Sequence, residues 1–304
     1  MLGISTVWRS KVLRDGKTLI KEILDLELDG LELEYRITKK MLGEMMPTLY
    51  ENKTKIFSVH NFFPVPAGVP DGKGNGDLFL LSSEDRDERK KAVKHTINTI
   101  QMASDLGAQV VVLHLGRVQM ASIKYELYEF YDNKMIGSKE YVAAMKRFKS
   151  IRAEAKLKSF DPLLLSVEEL LSAADRYGID LGIENRYYFR EFPDFEEIGY
   201  IFNKFKGGRL GYWHDTGHAQ VNQSLGIIGA EMFLKEYGEC LLGVHLHDAK
   251  GYSDHNAPGM GDIDFSVIAK YLKPETIKII EIHPRVTRDE LFNGINLLRE
   301  KGIT

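Results

Sequence analysis

The chain has 304 residues, of which 28% are charged, and a formal net charge of −3 at pH 7. This length suits one α/β barrel, and the near balance of charges argues against a protein built to bind nucleic acid through its phosphates. The one cysteine, Cys240, excludes an intrachain disulfide and a cysteine-rich zinc site, and no segment has the roughly 18 unbroken apolar residues of a membrane span, so we expect a cytoplasmic protein with no membrane partner.

Apolar runs alternate with longer segments of helical period, a rhythm that indicates β/α units and a parallel sheet. In chain order, the predicted strands are 2–7, 30–35, 55–60, 109–115, 180–184, 209–213, 241–247 and 277–282. Amphipathic helices are predicted at 17–28, 84–106, 167–177, 195–205 and 288–301. Eight such units close a barrel, so we expect a single (β/α)8 TIM-barrel domain over residues 1–304.

Two insertions interrupt this rhythm. Residues 64–77 are rich in proline and glycine, which predicts a loop over the barrel mouth, either a lid or a solvated surface loop. Residues 117–161 follow the fourth strand and contain helical patterns at 122–131 and 139–158. The aromatic residues of this helical insertion are expected to cap the site, to form a homodimer contact, or to pack a small core of their own.

Acidic or imidazole side chains stand at the ends of four successive apolar runs, namely Glu184, Asp215, His245 and Glu281. In β/α barrels the carboxyl ends of the strands build the active site, so residues there converge although they lie far apart in sequence. Carboxylate and imidazole groups are ligands of divalent metal ions. The sequence therefore predicts a metal site at the barrel mouth.

Eight of the nine histidines lie at predicted strand ends or just beyond them. The candidates for additional metal or substrate contacts are His60, His114, His218, His247 and His255. For His218 we favour a substrate contact. His247 shares a strand face with His245, because side chains alternate along a strand, so it either faces the mouth or orients a metal ligand.

Three arginines, Arg117, Arg186 and Arg285, each lie just past a predicted strand. A guanidinium at such a place either binds a carboxylate or phosphate of the substrate through paired hydrogen bonds, or forms salt bridges at the rim. Both interpretations stay open from the sequence.

The chain resembles the xylose isomerase-like barrel superfamily, which includes ketose 3-epimerases, inosose dehydratases, hydroxypyruvate isomerases and endonuclease IV. The resemblance lies in the phrases Ser-Val-His60, Leu-His114-Leu-Gly, Ile-Glu184-Asn185, Asp215-Thr-Gly-His218 and His245-Leu-His247-Asp248-Ala-Lys250, followed by Glu281. These phrases cover six of the eight predicted strand ends, and Lys250 matches a basic position that often lies near the site in this family.

The resemblance to the isomerases and epimerases implies that Glu184, Asp215, His245 and Glu281 hold one divalent ion, which would be Zn, Mn, Co, Fe or Mg. It also implies that Glu184 and Glu281 are catalytic and transfer a proton through a metal-stabilised enediolate. We therefore expect a metal-dependent isomerase or epimerase with a small carbohydrate, sugar-acid or sugar-phosphate substrate. No glycine-rich turn of dinucleotide-binding spacing follows the first strand, so no nucleotide cofactor is expected.

The resemblance to endonuclease IV implies instead a zinc-dependent phosphodiesterase with three ions, which would also use His60, His114, His218, His255 and an aspartate. Aligned on the glycines at 259 and 261, that aspartate falls on Ser253, with Asp254 one residue out of register, which argues against the third zinc site. The lack of a basic excess argues against a nucleic acid partner. A metal-dependent polyol or inosose dehydratase would share every ligand and is the other alternative.

Overall fold

The computed structural model describes residues 1–70 and 72–304. Eight barrel strands are present: β1 (Leu2–Ser5), β2 (Gly30–Leu33), β3 (Lys55–His60), β4 (Val110–Leu113), β5 (Asp180–Glu184), β6 (Leu210–Asp215), β7 (Leu241–Leu246) and β10 (Ile277–Ile280). They close in the order β1-β10-β7-β6-β5-β4-β3-β2, with parallel pairing throughout. The predicted (β/α)8 barrel is confirmed, and the predicted strand bounds differ from these by two residues at most.

Helices surround the barrel. They are α1 (Val7–Ser10), α2 (Gly16–Leu24), α3 (Lys39–Glu51), α4 (Arg86–Asp105), α5 (Lys124–Asp132), α6 (Lys139–Lys156), α7 (Phe160–Tyr177), α8 (Phe195–Lys204), α9 (Thr216–Ser224), α10 (Ala230–Tyr237), α11 (Phe265–Ala269) and α12 (Arg288–Glu300). A 3-10 turn covers Gly238–Cys240. Within the described ranges, no helix has both the length and the apolar character that crossing a bilayer demands.

The lower part of the barrel is filled by apolar side chains. Phe57, Val110, Trp213 and Ile279 belong to one buried cluster there. A Cβ atom on Gly243 would lie 2.3 Å from the Trp213 ring, so glycine at this position leaves the space that the indole occupies. Because the interior of such a barrel is packed with side chains, the polar strand ends are left to form the mouth.

An antiparallel hairpin that we did not predict follows β7. It consists of β8 (Asp248–Lys250) and β9 (Ser253–Asn256). Both strands are short and polar, so they carry no apolar alternation from which a strand could be predicted. The hairpin rises beside the barrel mouth and carries Asp254 and His255.

The helical insertion after β4 is confirmed, and it packs onto the barrel. Its helices α5 and α6 contribute Leu127, Tyr141 and Phe148 to a buried cluster that also contains Val221 and Ala249. The insertion therefore forms a small core together with α9 and the first strand of the hairpin. From α5, the Tyr128 ring stacks on that of Tyr252 at 3.9 Å, so the insertion also covers the hairpin turn.

A buried arginine joins the insertion to the loop after β5. Arg152 of α6 is 5% exposed, and its Nη1 donates to Asp194 at 2.6 Å and to Glu197 at 2.7 Å. Its Nε donates to the carbonyl of Phe189 at 2.9 Å, and its Nη2 donates to the carbonyl of Glu191 at 3.0 Å. The loop that begins beside Glu184 is thereby held from outside the barrel.

We predict that Arg152→Ala lowers the free energy of unfolding by about 3 kcal/mol, because it takes the guanidinium from the buried Glu197 carboxylate and leaves only Lys156, at 3.2 Å, as its charge partner. Arg147→Ala on the same helix is the matched control, since Arg147 is exposed and pairs with Glu126 at the surface, where loss of a pair costs about 0–1 kcal/mol. Urea unfolding followed by circular dichroism measures both. Equal losses in the two variants would contradict this account of Arg152.

Candidate metal centre

The four side chains at the strand ends meet at one point of the mouth. Nδ1 of His245 lies 2.8 Å from Oε1 of Glu184, 3.0 Å from Oε2 of Glu281 and 3.7 Å from Oδ2 of Asp215. Each of the four offers one ligand atom, these atoms lie within 4.8 Å of one another, and all four residues are buried. We call Glu184, Asp215, His245 and Glu281 the four-ligand group.

The carboxylates of the four-ligand group are held in their ionised form by basic neighbours. Burial alone would raise the pKa of Glu184, but hydrogen bonds from His114 and His245 hold it well below its usual value. The pKa of Glu281 is likewise lowered against the effect of burial by the charges of His245 and His255. Buried carboxylates of this kind require a positive partner. Three carboxylates and one imidazole form a donor set that fits Zn, Mn, Fe or Co.

A fifth buried residue, Glu32 of β2, fixes the orientation of His245. Nε2 of His245 lies 3.1 Å from a carboxylate oxygen of Glu32, which also accepts a hydrogen bond from Ser58 at 2.8 Å. Nε2 is therefore engaged as a donor to Glu32, and Nδ1, which lies 2.8 Å from Glu184, is the nitrogen that would bind an ion after losing its own proton. Our sequence interpretation missed Glu32, although a charged residue within the apolar run of β2 is a signal that could have found it.

A second group lies beside the first and shares Glu184 with it. His60, His114 and Glu184 offer ligand atoms within 4.8 Å of one another. Nε2 of His114 lies 3.0 Å from Oε2 of Glu184, while Nδ1 of His60 lies 3.0 Å from the carbonyl oxygen of Asn61. The His60 Nδ1 thus donates a proton to that carbonyl, and its Nε2 has a free lone pair.

The loop 64–77 reaches this second group. Oδ1 of Asp77 lies 3.3 Å from Nδ1 of His114, and a Cβ on Gly76 would lie 2.7 Å from the same ring. Glycine at position 76 therefore permits the close approach of the loop. Burial lowers the pKa of His114, as does Arg186, but Asp77 and Glu184 raise it to about 9.

The hairpin contributes a third group, and Asp254 belongs to it although the sequence alignment places Ser253 at the aspartate position. Asp254 lies 3.1 Å from Nδ1 of His255 and 3.7 Å from Nε2 of His218, and the three residues again offer ligand atoms within 4.8 Å. His255 has a φ of 54°, in the left-handed region. This departure from extended backbone lets Asp254 and His255, although consecutive, face the same side.

His247 orients a member of the four-ligand group. Its Nε2 lies 2.9 Å from a carboxylate oxygen of Asp215, and its Nδ1 accepts a hydrogen bond from the backbone N–H of His255 at 2.9 Å. Both ring nitrogens are thus engaged. His247 also belongs, with Asp215, His255 and Glu281, to a set whose ligand atoms lie within 4.8 Å of one another. Because both of its ring nitrogens already have partners, we favour the orientation of Asp215. The side chain of Asn185 supports the same residue by accepting the Asp215 backbone N–H at 2.8 Å.

The arginine and lysine residues predicted near the site differ in their burial and in their contacts. Arg186 is buried, with Nη1 on Oε2 of Glu184 and Nη2 3.2 Å from Glu191, so it belongs to the site as a salt-bridge partner. Arg285 donates to the carbonyl of Asp254 at 3.1 Å and so supports the hairpin. Arg117 is half-buried and belongs to none of the three ligand groups, and Lys250 is exposed.

The fold and this mouth define a class of protein: a TIM barrel whose strand ends gather carboxylates and imidazoles as a potential metal centre. A sequence profile described as xylose isomerase-like TIM barrel matches residues 20–301. The chain therefore belongs to the xylose isomerase-like TIM-barrel family.

Curated proteins match part of the chain. The uncharacterised protein MJ1311 of Methanocaldococcus jannaschii is 27% identical over 202 residues, which are 65% of this chain and 57% of that protein. The chain spans about half the length of the curated relatives that it matches.

Solved structures share the fold over nearly the whole chain. The crystal structure of a D-tagatose 3-epimerase-like protein has a TM-score of 0.70 at 20% identity and covers 99% of this chain and 96% of its own. The structure of the IolI protein with a bound zinc atom has a TM-score of 0.62 at 13% identity and covers 99% of this chain and 96% of its own. At these identities the likeness establishes the fold.

We predict that Glu32→Gln weakens Zn²⁺ binding by about 10- to 100-fold, because the neutral amide no longer holds His245 with its Nδ1 directed at the four-ligand group. Glu34→Gln is the matched control, since Glu34 is a buried carboxylate just beyond the same strand but pairs with Arg36 at 3.0 Å. Competition with a chromophoric chelator measures both affinities. Unchanged affinity in Glu32→Gln would show that Glu32 does not orient the ligand.

Proposed function

We propose that this chain is a metal-dependent isomerase or epimerase of a sugar, a sugar acid or a sugar phosphate. The observation that carries the proposal is the approach of carboxylate oxygens of both Glu184 and Glu281 to His245 Nδ1, at 2.8 and 3.0 Å, in the mouth of the barrel. Family membership supports it, as do the fold neighbours, one named as epimerase-like and one containing zinc.

The four-ligand group would hold the ion. A divalent ion bound there supplies Lewis-acid polarisation of a substrate carbonyl. Both glutamates have pKa values below their usual range, Glu184 because of His114, His245 and Arg186, and Glu281 because of His245 and His255, in each case against the effect of burial. Both are therefore ionised near neutral pH and able to accept a proton.

The proposed proton transfer uses the two neighbouring carboxylates, Glu184 and Glu281. One glutamate takes the proton from the carbon next to the carbonyl, so that a C–H bond breaks and a carboxyl O–H bond forms. Return of a proton to the opposite face of that carbon gives the epimer. Return to the former carbonyl carbon, while the hydroxyl proton on the first carbon passes to the former carbonyl oxygen, gives the isomer. The loop 64–77 and the insertion would narrow access of water to the site during these steps.

We predict that Glu184→Gln and Glu281→Gln each lower turnover by at least about 10²–10⁴-fold, because an amide cannot accept the proton. The measurement is a panel of ketoses, sugar acids and their phosphates, with incorporation of deuterium from heavy water as the readout of C–H cleavage. Glu231→Gln, at a half-buried position on α10 where Glu231 pairs with Lys235, is the control and should keep full activity. Full activity in either of the first two variants would refute their catalytic assignment.

A second candidate is a zinc-dependent phosphodiesterase related to endonuclease IV. The observation in its favour is that two further ligand groups, His60–His114–Glu184 and His218–Asp254–His255, flank the four-ligand group. The net charge of −3 opposes it, because binding to a phosphate backbone normally draws on an excess of lysine and arginine.

Metal content distinguishes the two candidates. We predict about one ion per chain by elemental mass spectrometry, unchanged in a His60→Ala, His114→Ala double variant, because the four-ligand group uses neither residue. Two or three zinc ions in the wild type, with ions lost in the double variant, would favour the phosphodiesterase. A dehydratase would share the single ion but would release a product lighter by one water.

A further inference from the structure

The second ligand group lies against a cation that belongs to the protein. Arg186 donates from Nη1 to Oε2 of Glu184, the oxygen that also lies 3.0 Å from Nε2 of His114. The other oxygen of Glu184, Oε1, faces His245 and the four-ligand group. The two oxygens of this carboxylate thus have different partners. Oε1 contacts the four-ligand group, and Oε2 accepts a hydrogen bond from the guanidinium.

We propose that Arg186 takes the place of a second metal ion at the His60–His114–Glu184 group, so that this group holds no ion beside the one at the four-ligand group. This inference rests on the proposed one-ion function and extends it, since it assigns to one residue the choice between a one-ion and a multi-ion site. Arg186 is a positioning residue here, because it acts through Glu184.

The guanidinium is fixed in this position from several sides. Its Nη2 lies 3.2 Å from Oε1 of Glu191 and 4.0 Å from Oδ2 of Asp77. The other oxygen of Glu191 accepts the backbone N–H of Tyr188 at 2.8 Å, and Asn222 donates to the Arg186 carbonyl at 2.9 Å. If Arg186 swung away, Glu191 would remain buried without its charge partner, so withdrawal of the guanidinium is disfavoured.

The loop that carries Arg186 is itself held by the insertion. Arg152 of α6 binds the carbonyls of Phe189 and Glu191 at 2.9 and 3.0 Å. The position of the guanidinium is therefore set by contacts on both sides of the loop, one to the barrel mouth and one to a helix outside it. Such double support is what a preorganised charge requires.

Removal of this charge would leave a set of zinc ligands. Two imidazoles and a carboxylate oxygen are the donor set of many zinc sites with an open position. His60 already presents a free Nε2 lone pair, because its Nδ1 donates to the carbonyl of Asn61. With Arg186 present, a dication at this group would lie beside a guanidinium in a buried environment, where like charges repel strongly.

The test is the number of ions that the full chain retains. Wild type and Arg186→Gln are incubated with excess Zn²⁺ alone, dialysed, and analysed by elemental mass spectrometry. We expect one ion per chain in the wild type and two in Arg186→Gln, with the added ion absent from an Arg186→Gln, His60→Ala, His114→Ala variant. Arg190→Gln is the matched control and should hold one ion, because Arg190 lies in the same loop but donates to the carbonyl of Met120 at 3.3 Å.

Each result separates this inference from the proposed function. One ion in both the wild type and a folded Arg186→Gln overturns the inference and leaves the one-ion function standing. Two or three ions in the wild type overturn the one-ion function, and they overturn the inference as well when the His60 and His114 substitutions remove one of them. No ion in the wild type contradicts the one-ion function, and the inference then stands only if Arg186→Gln gains an ion that the His60 and His114 substitutions remove. Thermal unfolding checks that the variants fold. If Arg186→Gln does not fold, the double variant Arg186→Gln, Glu191→Gln replaces it, because this variant does not leave the Glu191 carboxylate buried without a partner.

Discussion

The carboxylate of Glu184 is the interaction on which the rest of the mouth depends. Its Oε1 contacts His245 at 2.8 Å, and its Oε2 contacts both His114 and Arg186. The first contact joins Glu184 to Asp215 and Glu281 in one ligand group, while the second brings in the loop 64–77 and the loop after β5. The buried Glu184 carboxylate thus connects the barrel to the loop 64–77. Through Arg186 and the loop after β5, it also connects the barrel to the helical insertion.

The barrel makes this convergence possible because its parallel strands end at one face. Apolar side chains such as Trp213 fill the lower interior, and the mouth is left for charged groups. The charged groups are stable there because they are paired: Glu32 supports His245, His247 supports Asp215, and Asp77 supports His114. In a metal site, partners of this kind determine ligand direction and affinity as much as the ligands do.

The periodicity of the sequence was sufficient to predict the strands and the residues at their ends. Glu184, Asp215, His245 and Glu281 end apolar runs, so both the strands and their common mouth could be inferred. The supporting residues could not be found in this way. Glu32 looks like part of a buried strand until its distant partner His245 is known, and Asp77 sits on a loop whose path has no periodic signal. The position of Asp254 depends on the left-handed backbone at His255, which strand alternation does not anticipate.

The most direct test of the central claim is an anomalous difference map, collected at the zinc absorption edge, from crystals of the wild-type chain grown with Zn²⁺. The account predicts one strong peak among Glu184, Asp215, His245 and Glu281, and none between His60 and His114, where Arg186 provides the positive charge. A map with no peak at the four-ligand group, or with equal peaks at all three groups, would contradict it.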